Sequence, residues 1–310
     1  MSDQKPPHTS VLAAQILRLL APKPGGAYLD GTLGAGGHSE LILQESAPDG
    51  TVLAFDLDPQ AIQIATNRLA KFGERVRIIN DSYKNAAQYV EKGKTFDGIL
   101  LDLGVSSMQL DQPERGFSFQ AQSTLDMRFG VGNIPTAQDL VNTASESELA
   151  EIIYRYGEEQ KSRQIAAAIV HSRESAPITT TLQLAEIIKK AVGHSSGKIH
   201  PATRSFQAFR IAVNDELNTL SEALPVLVSL LRSGGLLAVI SFHSLEDRIV
   251  KQYFRTESTD CLCPSEQLIC TCDHKASLRL VTRRAVTADA AEIAHNIRAR
   301  SAKLRVAQKI

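Results

Sequence analysis

The sequence lacks the features that would direct a chain into a membrane or out of the cell. Among its 310 residues, no apolar run approaches the roughly 20 residues needed to cross a bilayer. The polar N-terminal stretch lacks the hydrophobic region of a signal peptide. Acidic and basic side chains balance at 34 each, so the net charge is zero. The composition predicts a cytoplasmic globular protein with no membrane partner and with one large or two modest domains.

Cysteine is scarce, and all four cysteines lie in two short arms, Cys261-Leu-Cys263 and Cys270-Thr-Cys272. In a cytosolic chain this pattern does not indicate a disulfide framework. Four thiolates could bind a structural zinc ion, although the spacing differs from the commoner C-x-x-C knuckle. The alternative is a reduced surface loop that binds nothing. The sequence leaves both open, and we assign no metal ligand from it.

The most informative stretch is residues 27–38, AYLDGTLGAGGH. A short apolar run ends at Asp30, and four glycines follow within seven residues, at positions 31, 34, 36 and 37. Glycines let the backbone turn tightly and approach a ligand closely. We expect a strand, a ligand-binding loop and a helix that starts at His38 or Ser39, with a nucleotide-like ligand near the helix N-terminus.

Three classes of nucleotide-like ligand compete for this loop. The lysine of a phosphate-binding P-loop is missing, because Gly37 and His38 follow Gly36. A dinucleotide fingerprint would need a third glycine where Ser39 stands, which weakens that alternative. One acid before the loop and another at the end of the next strand, Asp56, favour S-adenosylmethionine. A turn that binds no ligand stays open, because short motifs produce false positives.

Further runs of apolar and β-branched residues predict strands over residues 51–56, 76–80 and 96–103, with helices between them. This alternation is typical of a doubly wound α/β fold with a parallel sheet. An acid stands at or next to the C-terminal end of each predicted strand, and these acids are Asp30, Asp56, Asp81 and Asp102. Ligands of open α/β sheets bind at the carboxyl ends of the strands, so we expect the site there.

The alternation ends near Gln112, and a helical period then extends to about Lys198. We therefore predict a first domain part over residues 1–111, an inserted all-helical domain over 112–198, and a second part over 199–310. This second part includes a long helix from residue 200 to about 231, a fifth strand over 236–243, a helix capped by Ser244, and a strand over 278–281.

Two segments suit a nucleic acid partner. Arg204 and Arg210 lie beside Phe206 and Phe209, a mixture that fits RNA, although phenylalanines at this spacing equally fit a helix core. Residues 275–310 carry nine lysines or arginines against two acids, a net charge of +7. This basic C-terminal tail could contact phosphates, or it could be a solvated helix.

Several longer motifs give the chain a specific resemblance. It resembles the bacterial 16S rRNA cytosine-N4 methyltransferases of the MraW type nearly from end to end. The motifs are residues 30–38 (DGTLGAGGH), 101–107 (LDLGVSS), 109–111 (QLD), 115–119 (RGFSF), 125–128 (LDMR), 200–204 (HPATR) and 241–248 (SFHSLEDR).

The resemblance implies a class I S-adenosylmethionine-dependent methyltransferase, with a Rossmann-like doubly wound sheet and a helical insertion. It implies N4-methylation of a cytidine in the decoding region of 16S rRNA, on the assembled small ribosomal subunit. The oligomeric state stays open. The expected cofactor-binding residues, combining the resemblance with the loop and strand-end pattern, are Asp30, Gly34, Gly36, Gly37, His38, Asp56, Tyr83, Asp102 and Gln109.

The reaction itself suggests the catalytic residues. The lone pair of the cytosine N4 amine is delocalised into the ring, and the amine must lose a proton during or after attack. A carboxylate or carbonyl at the end of the fourth strand could hold this amine, so Asp102 and the backbone of Leu103 and Gly104 are the first candidates, with His243 second. A stacking ring for the flipped base could come from Phe117, Phe119 or Phe242.

Overall fold

The structure is a computed structural model that describes residues 10–130, 132, 134–193, 200–264, 266, 267 and 269–310. The chain divides into two compact units. The sheet unit comprises the residues up to Gly104 and from Leu217 onward, and the helical unit comprises Val105–Glu216. The helical unit is thus wider than the predicted insertion over 112–198, because helices on both sides of that range pack within it.

Seven strands form one sheet in the sheet unit. They are β1 (Ala27–Asp30), β2 (Thr51–Asp56), β3 (Val76–Asn80), β4 (Phe96–Asp102), β5 (Leu231–Ser241), β6 (Leu278–Leu280) and β7 (Lys303–Lys309). Their order is β3-β2-β1-β4-β5-β7-β6, with β1 to β5 parallel and β7 antiparallel to both of its neighbours. This is the class I methyltransferase fold, so the predicted fold class is confirmed.

The α-helices within the described residues are α1 (Ala13–Leu20), α2 (Gly37–Glu45), α3 (Pro59–Leu69), α4 (Ser107–Asp111), α5 (Ala137–Thr143), α6 (Glu146–Gly157), α7 (Ser162–Ser175), α8 (Thr181–Val192), α9 (Thr203–Asn214), α10 (Glu216–Leu230), α11 (Ser244–Glu257) and α12 (Ala290–His295). Along the part of the chain that the structure describes, no helix is both long enough and apolar enough to cross a bilayer. The long helix predicted after residue 200 is two helices, because Asp215 adopts a left-handed φ of 49° and ends α9.

Both faces of the sheet are buried, as a doubly wound fold requires. Successive residues of a strand point to opposite faces. Tyr28 and Leu100 therefore join the cluster that packs against α1 and α2. Leu29 and Ile99 join the cluster on the other face, which packs against α10 and α11. Because β1 and β4 are covered on both sides, their sequences read as continuous apolar runs.

The basic segment over residues 275–310 is not a single solvated helix, because it contains β6, α12 and β7. β7 lies between β5 and β6, and its Leu304 and Val306 are fully buried in the core. The intervening Arg305 donates to Asp247 at 2.6 Å, so this cation is paired inside the protein. A period-two alternation of apolar and charged residues thus places a strand where the net charge alone suggested a tail.

We expect Val306→Ala to lower the free energy of unfolding by about 1–3 kcal/mol, because it removes two methyl groups from a buried strand position. Urea denaturation of the variant and of the parent chain measures this difference. Ile310→Ala is the matched control, since the Ile310 side chain is 64% exposed. Equal losses for the two variants would contradict a core role for β7.

The helical unit has its own core. Ile153, Ile165, Leu184 and Phe209 are fully buried there. Phe206 is 5% exposed, so the two phenylalanines of α9 face this core, and the alternative of a packed helix is confirmed over stacking with RNA. Arg210 forms two hydrogen bonds with Glu216, at 2.8 and 2.9 Å.

Candidate functional site

Hydrogen bonds connect the glycine-rich loop after β1 to the neighbouring strands β2 and β4. Gly31 N–H donates to Leu100 O of β4 at 2.9 Å, and Leu33 N–H donates to Phe55 O of β2 at 2.8 Å. The Asp102 N–H donates to the Thr32 hydroxyl at 2.6 Å. The loop is therefore held across the carboxyl ends of three parallel strands. We call the edge that carries Asp30, Asp56 and Asp102 the strand-end site.

Two glycines of the loop adopt left-handed conformations, with φ of 52° at Gly34 and 78° at Gly36. A Cβ atom on Gly36 would lie 3.2 Å from the Ala65 Cβ and 3.3 Å from a Leu69 methyl, so the loop packs closely on α3 there. A Cβ atom on Gly34 would meet nothing within 4 Å. The loop is thus packed on one side and open at Gly34, which fits a cradle for a ligand.

We expect Gly36→Ala to weaken binding of a ligand in this cradle about tenfold or more, because it combines a left-handed φ with a close contact to α3. Equilibrium dialysis with labelled ligand, or calorimetry, measures the change. Gly93→Ala is the matched control, since Gly93 has φ of 88° and a Cβ atom there would meet nothing within 4 Å. If both variants bound as the parent does, the close packing of the loop would not matter for binding.

Asp30 is enclosed beneath the loop and is only 1% exposed. Its carboxylate accepts hydrogen bonds from the Ser39 hydroxyl at 2.7 Å and from Thr32 N–H at 3.1 Å. Burial raises the pKa of this carboxyl above its usual range. The two hydrogen bonds join the loop to the first turn of α2, which begins at Gly37, one residue before the predicted start.

Asp56 ends β2 and faces the same loop. Its carboxylate accepts from Gly34 N–H at 2.7 Å and from Asp58 N–H at 2.9 Å. Burial raises its pKa to about 6, although the two hydrogen bonds act in the opposite direction. Since a carboxylate has about four lone-pair positions, Asp56 has capacity left for a pair of ligand hydroxyls.

His38 and Asp102 face each other at the site and carry buried polar atoms. The His38 Nε2 lies 3.6 Å from the Asp102 Oδ2. Burial alone would lower the pKa of His38, but the charges of Asp102 and Asp30 outweigh it, and the pKa is raised. Both ring nitrogens of His38 and the Asp102 Oδ1 are buried without a hydrogen-bond partner among the described residues. Such buried polar atoms normally have partners, so their position beside the loop fits a site built to receive a polar ligand.

The acid after β3 has a different environment. The carboxylate of Asp81 accepts from Ser82 N–H at 2.7 Å, from the Asn85 amide at 3.0 Å and from the Tyr89 hydroxyl at 2.8 Å. Burial alone would raise its pKa, but these hydrogen bonds lower it. Asp81 thus anchors the short helical turn that follows, so the four acids at the strand ends do not share one role. Tyr83 is the first residue of this turn, and it is partly buried against the apolar cluster that contains Leu29 and Ile99.

His243 follows β5 as the N-cap of α11, a position predicted for Ser244. Its Nδ1 accepts from Glu246 N–H at 3.4 Å, and its Nε2 lies 3.2 Å from a Glu246 oxygen. The other carboxylate oxygen of Glu246 accepts from Phe242 N–H at 2.8 Å. Glu246 is 2% exposed, and sequence reasoning did not single it out as a partner of His243. The capping box fixes the His243 ring relative to the end of β5.

The remaining predicted residues divide between the two units. Gln109 lies in the helical unit, where its side chain accepts from Ser106 N–H at 2.9 Å in the capping box of α4. Two of the candidate stacking rings also belong to that unit. The Phe117 ring stacks on Phe129 at 5.7 Å between centroids, and the Phe119 ring lies 4.8 Å from that of Phe206.

The third candidate ring, Phe242, belongs to the sheet unit and follows β5. It is partly buried, and its Cδ2 would lie 3.6 Å from a Cβ atom on Gly104, the residue two positions after Asp102. Phe242 is therefore the candidate ring that the sheet unit itself brings to the Asp102 end of the strand-end site.

The chain matches a known protein family and several curated relatives. A family model described as the MraW methylase family matches residues 5–310. Among the curated relatives that match are three that bear the name Ribosomal RNA small subunit methyltransferase H. The one from Dehalococcoides mccartyi is 52% identical over 306 residues, covering 98% of this chain and 87% of the relative. The one from Citrifermentans bemidjiense is 53% identical over 307 residues, covering 98% of each chain. The one from Geobacter sulfurreducens is 52% identical, covering 98% of this chain and 99% of the relative.

Proposed function

This chain belongs to the MraW methylase family, and we propose that it methylates the N4 atom of one cytidine in the decoding region of 16S rRNA. It is an S-adenosylmethionine-dependent methyltransferase of small-subunit ribosomal RNA. Three points are proposals: the methylated atom is N4, the cytidine lies in the decoding region, and the substrate is the assembled small subunit. They are supported by the motifs at residues 30–38, 101–107 and 241–248. We also propose that the enzyme acts in the cytoplasm.

The residues of the strand-end site fit S-adenosylmethionine, which when bound supplies a methyl group on a positively charged sulfur. Asp56 would accept the ribose hydroxyls, and Tyr83 would contact the adenine. The backbone of Gly34, Gly36 and Gly37 would line the amino-acid end together with His38, at the start of α2. Asp30, being enclosed, would act as a positioning residue that holds this loop. Gln109 of the helical unit stays a proposed cofactor contact.

The buried Asp102 Oδ1 is the single observation that best supports amine chemistry. An unpartnered carboxylate oxygen at the end of β4 can accept a hydrogen bond from the exocyclic amine of a base. This contact would orient the N4 lone pair for an in-line attack and hold the proton that the amine must lose. His38, whose pKa is raised, lies beside this carboxylate, with its Nε2 3.6 Å from the Asp102 Oδ2. His243, held by Glu246, stays a second candidate for the proton.

The target base must leave any paired stem to reach a carboxylate at this edge. A flipped cytosine needs an apolar or aromatic surface against its ring. Phe242 is our first choice for this surface, because it lies beside the Asp102 end of the site, and Phe117 and Phe119 pack within the core cluster of the helical unit.

The function is tested by methyl transfer from radiolabelled S-adenosylmethionine to small ribosomal subunits purified from cells that lack this protein. We expect incorporation of one methyl group per subunit, and nuclease mapping with mass spectrometry should identify N4-methylcytidine in the decoding region. Naked 16S rRNA is assayed in parallel, and we expect much weaker incorporation into it.

Subunits from cells that contain the protein are the matched control, because their target is already methylated. A methyl group on carbon 5 of cytosine or on another base would contradict the proposed chemistry. An absence of transfer with cofactor binding intact would instead favour an assembly factor that binds S-adenosylmethionine without turnover.

A further inference from the structure

The four cysteines lie together on one loop, between α11 and β6. Every pair of their Sγ atoms is within 4.8 Å. The separations are 3.5 Å between Cys261 and Cys270, 3.6 Å between Cys270 and Cys272, and 3.8 Å between Cys272 and Cys261. Four sulfurs bound tetrahedrally to zinc at about 2.3 Å lie about 3.8 Å from one another. The observed separations therefore match a zinc site, and they are far longer than the roughly 2 Å of a disulfide bond.

Backbone hydrogen bonds connect the two cysteine arms reciprocally. Leu262 N–H, in the middle of the first arm, lies 3.3 Å from the Cys272 sulfur of the second. Thr271 N–H, in the middle of the second arm, lies 3.4 Å from the Cys263 sulfur of the first. Amide groups that donate to metal-bound thiolates stabilise their charge and fix their orientation. A loop whose cysteines bound nothing would not need this arrangement.

The base of the loop is closed independently of the cysteines. Ser277 N–H donates to Glu257 O at 2.8 Å, and the Ser277 hydroxyl donates to the Glu257 carboxylate at 2.6 Å. The loop enters β6 at Leu278, which pairs with Lys309, near the start of the paired part of β5. The strand-end site lies at the other end of β5, so the base of the cysteine loop lies at the opposite edge of the sheet.

We propose that Cys261, Cys263, Cys270 and Cys272 bind one structural zinc ion as four thiolates. Zinc suits this set because soft thiolate ligands in tetrahedral geometry select it over hard cations, and a site with four protein ligands leaves no position open for catalysis. The ion would brace a loop that carries exposed apolar side chains, among them Leu262 and Ile269. The site therefore serves the stability of this loop and not methyl transfer.

The test measures the metal content of the full-length chain, purified without chelators, by inductively coupled plasma mass spectrometry. We expect one zinc per chain. Since the chain has no other cysteines, titration with a mercurial should consume four thiols and release one zinc. The double variant Cys270→Ser, Cys272→Ser should lose the zinc, and the control Leu262→Ala, which keeps all four thiols and the backbone N–H, should retain it.

A second measurement does not depend on how well the variant folds. The metal-depleted parent chain should bind cobalt(II) with the intense visible absorption of a tetrahedral thiolate site, and zinc should displace it. Iron or copper in place of zinc, two disulfides in the chain purified from the cytosol, or no uptake of added zinc would each overturn the proposal. Affinity for S-adenosylmethionine should be the same with and without zinc, so this test is separate from that of the proposed function.

Discussion

Asp102→Asn should reduce the rate of methyl transfer about 10²–10⁴-fold, the usual contribution of a positioned proton acceptor. The substitution keeps the size of the side chain and one acceptor oxygen, but it removes the charge that can hold the amine proton. Because Asp102 also faces His38 at 3.6 Å, we expect some loss of cofactor affinity, within about tenfold. Single-turnover assays with saturating cofactor, together with calorimetric binding, separate the two effects.

Asp49→Asn is the matched control for this experiment. Asp49 is exposed in the turn before β2, and an amide oxygen there can still accept from Gly25 N–H. The control should transfer methyl groups at the parent's rate. If Asp102→Asn did so as well, Asp102 would not accept the proton, and the backbone of Leu103 and Gly104 or the ring of His243 would become the better candidate. Asp102→Ala then tests whether any acceptor is needed at this position.

The parts of the fold that could be predicted were those with local signals. β2 and β3 match their predicted spans, because each is a compact apolar run that ends at a polar turn. The strand β7 has a local signal, the alternation of charged and apolar residues over 303–306, but the net positive charge of residues 275–310 favoured a solvated segment instead. Arg305 is paired with Asp247, 58 residues away, and nothing local shows that this charge is neutralised inside the protein.

In the strand-end site, too, the local features could be predicted and the contacts between distant residues could not. The glycine loop and the positions of Asp30, Asp56 and Asp102 could be predicted, because the end of a parallel strand is a property of the local sequence and the topology. Their different environments could not. Asp30 is enclosed by the Ser39 and Thr32 hydrogen bonds, and the buried contact between His38 and Asp102 depends on how α2 packs on the sheet.

Affinity for S-adenosylmethionine should fall about tenfold as the pH is lowered from 7 to 5, because Asp56 then takes up a proton. Its pKa of about 6 lies inside this interval, and the ionised carboxylate accepts ligand hydroxyls better than the protonated acid does. Isothermal titration calorimetry at several pH values measures the trend. Asp56→Asn should bind more weakly at pH 7 and should show a flatter pH profile, since the titrating group is gone.

The stability of the unliganded protein should change in the opposite direction. The pKa of Asp56 is raised from 3.8 in the unfolded chain to about 6 in the folded one, so the folded state binds the proton more tightly. The stability that this group contributes is fully present below about pH 4 and is lost as the pH rises through 6, a change of about 3 kcal/mol. Thermal unfolding without cofactor should show this decline in the parent chain and less of it in Asp56→Asn.

Parallel pH profiles of the parent and Asp56→Asn in both experiments would mean that other groups, such as Asp30 and His38, dominate the titration. If instead affinity rises with pH while stability falls, and Asp56→Asn weakens both pH dependences, Asp56 is the group responsible. Its ionised carboxylate then destabilises the unliganded fold but is needed to bind the cofactor.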